Sequence, residues 1–118
     1  MKMFLLSFVL LIGTSACTQS KSKPITEISQ DDLNNVLLVD VRTPEEFEAG
    51  HLENAMNVNW YDPDFAKQFE KVDKDKTIYV YCKMGGRSAK AQEKLTALGF
   101  QHVINLEGGY DAVKTQNK

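Results

Sequence analysis

Cysteine is nearly absent from this chain of 118 residues. There are two, Cys17 and Cys82, so no disulfide framework is on offer. The two histidines, His51 and His102, stand far apart and share no metal-ligand spacing with each other or with a cysteine. Basic residues are not in surplus: 14 Lys and Arg against 16 Asp and Glu give a formal charge of −2, and no basic patch is visible, which argues against nucleic acid as a partner. The longest apolar run, Met3 to Ile12, is shorter than the roughly 20 residues that a membrane-spanning helix needs. No internal repeat and no low-complexity tract appears. Solenoids, disulfide-stapled folds, metal enzymes and nucleic-acid binders are thereby set aside.

What the amino terminus does contain has the order of an export signal. Lys2 supplies a positive charge, the apolar run follows, and Thr14-Ser15-Ala16 places small residues just before Cys17. This resembles a bacterial lipobox, in which the cysteine is lipidated and becomes the first residue. The expectation is a signal peptide over 1–16, a lipidated terminus and polar tether over 17–24, and one domain over 25–118. The resemblance implies a lipoprotein anchored to the cell envelope and facing the periplasm. An ordinary secretory peptide with an incidental Cys17 is the alternative. With Cys17 so occupied, Cys82 is the one thiol left, and a chain of this size holds a single core.

From Ile25 onward strand-like and helix-like stretches alternate. Pro24 to Ser29 reads as a first strand, and Ser29 can cap a short helix through Asn34. Val36 to Val41 is a continuous apolar run suited to a strand buried on both faces. Thr43-Pro44-Glu45-Glu46 begins a helix: Thr43 caps, Pro44 takes the first turn, and Glu46 closes a capping box; Gly50 stops it. Ala55 to Asn59 is a third strand. Asp62-Pro63 opens a helix on which Phe65, Phe69 and Val72 share a face. Thr77 to Tyr81 is a fourth strand, Ser88 to Leu98 a helix, His102 to Leu106 a fifth strand and Tyr110 to Thr115 a last helix. This order predicts an α/β fold with a mainly parallel five-stranded sheet and helices on both faces, and ligands then bind beyond the carboxyl ends of the strands.

The chemistry concentrates at Tyr81-Cys-Lys-Met-Gly-Gly-Arg-Ser. Here a cysteine ends a strand and opens a glycine-containing loop onto a helix N-terminus. Backbone N–H groups and the helix dipole can converge on its sulfur, and Lys83 and Arg87 add two full positive charges. Each favours thiolate over thiol. A small buried cysteine at a strand end is the plainer explanation, but it leaves two glycines, two cations and a helix start unexplained.

These residues, together with Leu38-Val-Asp-Val-Arg-Thr-Pro-Glu-Glu-Phe-Glu-Ala-Gly-His-Leu-Glu-Asn-Ala-Met-Asn-Val, Gly99-Phe100 and Leu106-Glu-Gly-Gly-Tyr, resemble a single-domain rhodanese from about Ile25 to Lys114. The resemblance implies a sulfurtransferase of the thiosulfate:cyanide class with Cys82 as catalytic nucleophile. A small anionic sulfur donor would bind over Lys83, Met84, Gly85, Gly86, Arg87 and Ser88. A persulfide on Cys82 would then pass its sulfur to cyanide or a thiol, and no metal or organic cofactor is needed. Lys83 and Arg87 would meet a dianionic donor. Met84 stands where many relatives carry Ser or Thr, and Val113 where a tryptophan is common. Asp40 and Arg42 are expected to brace the active loop, His51 to satisfy local backbone, His102 to lie at the surface, and Trp60, Tyr61 and Phe65 to pack or to line the rim. The rivals are a cysteine phosphatase, disfavoured because Arg87 follows Cys82 by five positions where phosphatases use six, a non-catalytic binding domain, and a periplasmic sulfane-sulfur carrier.

Overall fold

The computed structural model describes residues 21–116. The expected signal segment and Cys17 lie outside the described residues. Among those residues no helix is long and apolar enough to cross a membrane. The elements run β1 (Ser22–Pro24), β2 (Leu37–Asp40), α1 (Pro44–Ala49), β3 (Met56–Asn57), β4 (Thr77–Tyr81), α2 (Gly86–Ala97), β5 (His102–Glu107) and α3 (Gly109–Gln116), with short 3-10 turns at Ile25–Glu27, Asp31–Leu33 and Ala66–Phe69. All strand pairs are parallel and the sheet order is β1-β5-β4-β2-β3.

Strand alternation divides the core in two. Val39, Val41, Ile78, Val80, Cys82 and Val103 point to one face and pack with Ala91 and Leu95 of α2 and with Phe65, Phe69 and Phe100. Leu38, Tyr79, Tyr81, Ile104 and Leu106 point to the other, against Ile25, Leu52 and the Tyr110, Ala112 and Val113 side chains of α3. The continuous apolar runs of β2 and β4 are what such a doubly covered parallel sheet requires. Val113, where a tryptophan is common, simply joins the second cluster.

Two expectations at the amino-terminal end are corrected. The first strand is Ser22–Pro24 and not Pro24 to Ser29: it pairs with β5 from Ser22 opposite Asn105 to Pro24 opposite Glu107. Ile25 instead turns inward as a buried apolar anchor. The tether expected over 17–24 therefore ends sooner. The Lys21 carbonyl accepts hydrogen bonds from Asn105 N–H (3.0 Å) and from the buried Gln92 amide (2.6 Å), which also donates to the Val103 carbonyl (2.8 Å), so the folded domain already includes Lys21. No periodicity in 17–24 announces this, because its partners are all distant in sequence.

The helix expected from Asp62 reduces to a 3-10 turn over Ala66–Phe69, although Phe65 and Phe69 do bury as a pair. The segment after Ser29 is also a single 3-10 turn, Asp31–Leu33, held by reciprocal bonds between Ser29 and Asp32. In contrast, α1 forms as expected, with Thr43 Oγ1 accepting from Glu46 N–H and the Glu46 carboxylate accepting from Thr43 N–H.

Candidate functional site

Period-two alternation along β4 puts Ile78, Val80 and then Cys82 on the α2 side, so the chain delivers a sulfur directly beneath the N-terminus of α2. Cys82 is 1 % exposed. Helix α2 starts earlier than Ser88: Gly86 and Arg87 already belong to its first turn, and the connecting loop shortens to Cys82–Gly85. Gly85 takes φ +123°, a backbone conformation that suits a residue without Cβ and allows this sharp entry.

Around the sulfur stand neutral donors. Gly85 N–H donates to Cys82 Sγ at 2.9 Å, and the Ser88 hydroxyl, fully buried, lies 3.4 Å away. Ser88 Oγ is also 3.1 Å from the Gly85 carbonyl, so its one proton can serve the carbonyl when sulfur is protonated and turn to sulfur when it ionises. Burial pushes the Cys82 pKa up, but the Ser88 hydroxyl and the backbone N–H groups of Ser88, Gly85 and Met84 outweigh it, and the net direction is downward. Ser88 is thus a neighbour of the sulfur itself. The sequence marked it only as part of the loop.

The loop is fixed from behind by α3. Tyr110 N–H donates to the Cys82 carbonyl (2.8 Å) and Asp111 N–H to the Lys83 carbonyl (3.1 Å). The second of those peptide units carries the Met84 N–H, one of the backbone donors that lower the Cys82 pKa. The contact demands Gly109, whose φ is +64°: an added Cβ would lie 2.6 Å from the Cys82 carbonyl oxygen and would press still harder on the Lys83 carbonyl.

Arg87 departs from expectation. Its guanidinium does not stand unpaired for a substrate. It makes a bidentate pair with Glu46 of α1, Nη1 to Oε1 at 2.7 Å and Nη2 to Oε2 at 3.0 Å. The Arg87 pair, followed by the bonds from Thr43, lowers the Glu46 pKa to about 2 despite partial burial, so the carboxylate stays ionised at neutral pH. Glu46 was legible only as a capping residue; its partner lies 41 positions away. Tyr61 also joins the rim, with the Arg87 guanidinium 5.7 Å from its ring centre and 66 % of its surface exposed. Trp60 packs edge-on against Phe65 in the core. Lys83, Met84 and Gly86 are exposed, Met84 to 73 %. No carboxylate of the described residues forms an ion pair with Lys83.

Asp40 and Arg42 are buried as a pair, with Arg42 Nε 3.0 Å from Asp40 Oδ1 and Nη2 2.7 Å from Oδ2. They make no hydrogen bond to the Cys82–Arg87 segment. Arg42 instead donates to the Gly50 carbonyl (2.7 Å) and lies 4.5 Å from the Tyr110 ring centre, so the pair braces the end of α1 and the start of α3. It acts on the loop only through α3, which corrects the expected direct contact. His51 bonds the Phe47 carbonyl (2.8 Å) and stacks on the Phe47 ring, the local role expected for it, and His102 is exposed. Among the described residues no His, Cys, Asp or Glu cluster could hold a metal ion.

This fold and this cysteine loop are those of a known family. The family model for the rhodanese-like domain matches residues 26–116, and the chain belongs to that family. It is 40 % identical over 84 residues to thiosulfate sulfurtransferase 16, chloroplastic, of Arabidopsis thaliana, covering 63 % of this chain and 70 % of that protein. It is 37 % identical over 112 residues to the adenylyltransferase and sulfurtransferase UBA4 of Candida albicans, covering 80 % of this chain but only 25 % of the relative. The crystal structure of SSP1007 from Staphylococcus saprophyticus superposes with a TM-score of 0.69 at 32 % identity, covering 78 % of this chain and 91 % of that one.

Gly109→Ala is expected to destabilise the protein by about 1–3 kcal/mol, the usual cost of overpacking, because the new methyl must displace the Cys82 and Lys83 carbonyls. Urea denaturation measures it. A midpoint equal to that of the wild type would show that α3 does not press on the loop.

Proposed function

We propose that this protein is a sulfurtransferase that carries sulfane sulfur on Cys82, taking it from thiosulfate or a related donor and passing it to cyanide or a thiol. The observation that carries this reading is the ring of neutral donors on a buried sulfur at the N-terminus of α2: the Gly85 N–H at 2.9 Å and the Ser88 hydroxyl at 3.4 Å. Membership of the rhodanese-like family and the sulfurtransferases among its relatives support it.

In the first half-reaction the Cys82 thiolate attacks the outer sulfur of the donor. A bond forms between Cys82 Sγ and that sulfur, the donor's S–S bond breaks, and the electron pair leaves on sulfite. Cys82 becomes Cys–S–S⁻, with the charge moved one atom outward. In the second, the nucleophilic acceptor attacks the terminal sulfur and the thiolate is released. The enzyme bears one negative charge on sulfur before and after each step, and the N–H and hydroxyl donors around Cys82 Sγ stabilise it in the thiolate that begins and ends the cycle. A cysteine phosphatase would place its arginine six positions after the cysteine, whereas Arg87 follows Cys82 by five. Here the Arg87 guanidinium is held by Glu46, which weighs further against a phosphatase.

The chain end is a separate proposal resting on sequence: Cys17 carries lipid and anchors the domain at the envelope. Full-length protein produced in a bacterium should then partition into detergent with the mass of added acyl chains, and Cys17→Ala should not. Wild-type protein recovered without acyl chains would reject the anchor.

For the catalytic assignment, Cys82→Ser is the decisive variant. Mass spectrometry of the wild type after thiosulfate should show one added sulfur atom on Cys82, removable by cyanide as thiocyanate. The serine variant should add none and form no thiocyanate while keeping its far-ultraviolet circular dichroism. A folded serine variant with substantial turnover would overturn the role of Cys82.

A further inference from the structure

The donors that touch Cys82 are neutral and suit one negative charge, that of a thiolate or persulfide. Any additional charge on an incoming donor must be met by cations at the mouth. Lys83 and Arg87 are the two basic residues of the Cys82–Ser88 segment, and Arg87 is already compensated by Glu46 through two short hydrogen bonds in a bidentate geometry. Glu46 is itself held in place, because its Oε1 accepts from Thr43 N–H (3.2 Å) and Thr43 Oγ1 (3.1 Å) in the capping box of α1. The carboxylate is thus held from two sides, by Arg87 and by Thr43, and losing the Thr43 hydroxyl leaves the bidentate pair and the Thr43 N–H in place. Lys83, Arg87 and Glu46 together bring a single net positive charge to the mouth, and the exposed surfaces beside it belong to Met84 and Tyr61.

We propose that Glu46 is a specificity-determining residue: by neutralising Arg87 it turns the Cys82 site away from dianionic thiosulfate and toward sulfane donors that carry one negative charge and an apolar substituent. The class includes alkyl thiosulfonates and organic persulfides, whose apolar part can lie against Met84 and Tyr61. The inference rests on the sulfurtransferase reading and extends it to the choice of donor. The chemistry is unchanged. With an alkyl thiosulfonate, Cys82 S⁻ takes the terminal sulfur and the alkyl sulfinate leaves with the electron pair of the broken S–S bond, so that two negative charges enter and two remain.

Two donors of the same shape separate the charge term from the rest. Thiosulfate and methanethiosulfonate differ by the replacement of one anionic oxygen with a methyl group. The ratio of kcat/KM for thiosulfate to that for methanethiosulfonate is measured with cyanide as acceptor in the wild type and in three variants. Glu46→Gln keeps a residue able to close the capping box and removes only the charge. It should raise the ratio roughly five-fold or more at low ionic strength, the scale of one unit charge acting across several ångströms near the protein surface. The gain should fade at about 1 M salt, where the screening length is about 3 Å. Thr43→Ala loosens the same capping box but leaves the charge, and the ratio should stay at the wild-type value. The double variant Glu46→Gln/Arg87→Gln removes two charges that cancel, and it too should keep the wild-type ratio. An unchanged ratio in folded Glu46→Gln, an equal rise in Thr43→Ala, or a fall in the double variant would overturn the inference while leaving sulfur transfer intact. If Glu46→Gln does not fold, the double variant still decides, since a fall there would show that Arg87 meets the dianion in the wild type. Failure of Cys82 to accept sulfur from either donor would remove the sulfurtransferase reading, and this inference with it.

Discussion

The peptide units of Cys82 and Lys83 are pinned between two helix N-termini. On one side the first N–H groups of α3 bind their carbonyls; on the other, the loop hands its own N–H groups and those of α2 to the sulfur. A peptide plane can face only one way, so fixing the carbonyl edge fixes the N–H edge. The Gly108-Gly109-Tyr110 segment matters for this reason. Gly109 lets α3 approach the loop closely, and Tyr110 contributes a backbone donor while its ring lies over Arg42. That seating fixes the Met84 N–H, one of the groups that lower the thiol pKa; the Ser88 hydroxyl and the Ser88 and Gly85 N–H groups are supplied by the entry into α2.

Electrostatics around the loop is layered. Closest to the sulfur are uncharged dipoles, which stabilise an anion without attracting a counterion of their own. Beyond them lies the Arg87–Glu46 pair, bridging α1 and α2 and only partly open to solvent. Deeper still, Asp40 and Arg42 form a buried pair with both partners well hydrogen-bonded, which offsets the desolvation that would otherwise make it costly. The deep pair holds the framework, the outer pair compensates Arg87, and the dipoles favour an anion on the Cys82 sulfur.

Much of this could be read before the coordinates. β4 was legible to its exact ends, because Thr77–Tyr81 is β-branched and aromatic and lies between Lys76 and the loop that Cys82 opens. The capping box of α1 and the cysteine loop were legible because each is written in consecutive residues. What escaped was non-local. β1 is recognised only by its pairing with β5, and Lys21 enters the fold through Gln92 and Asn105, each more than 70 positions away. The second role of Glu46 depends on how α1 and α2 meet, which no window of sequence contains. The misplaced helix after Asp62 is a different kind of miss: Phe65 and Phe69 satisfy helical spacing, yet one 3-10 turn suffices to bury both.

The loop lowers the pKa of Cys82 against the opposing effect of burial. The direct measurement is the rate of iodoacetamide alkylation at Cys82 as a function of pH, with the site of modification read by peptide mass spectrometry. The expected titration midpoint lies below the free-cysteine value of about 8.5, and it shifts upward in Ser88→Ala. A midpoint at or above that value in the wild type would mean that burial outweighs the donors, and that the loop does not activate its cysteine.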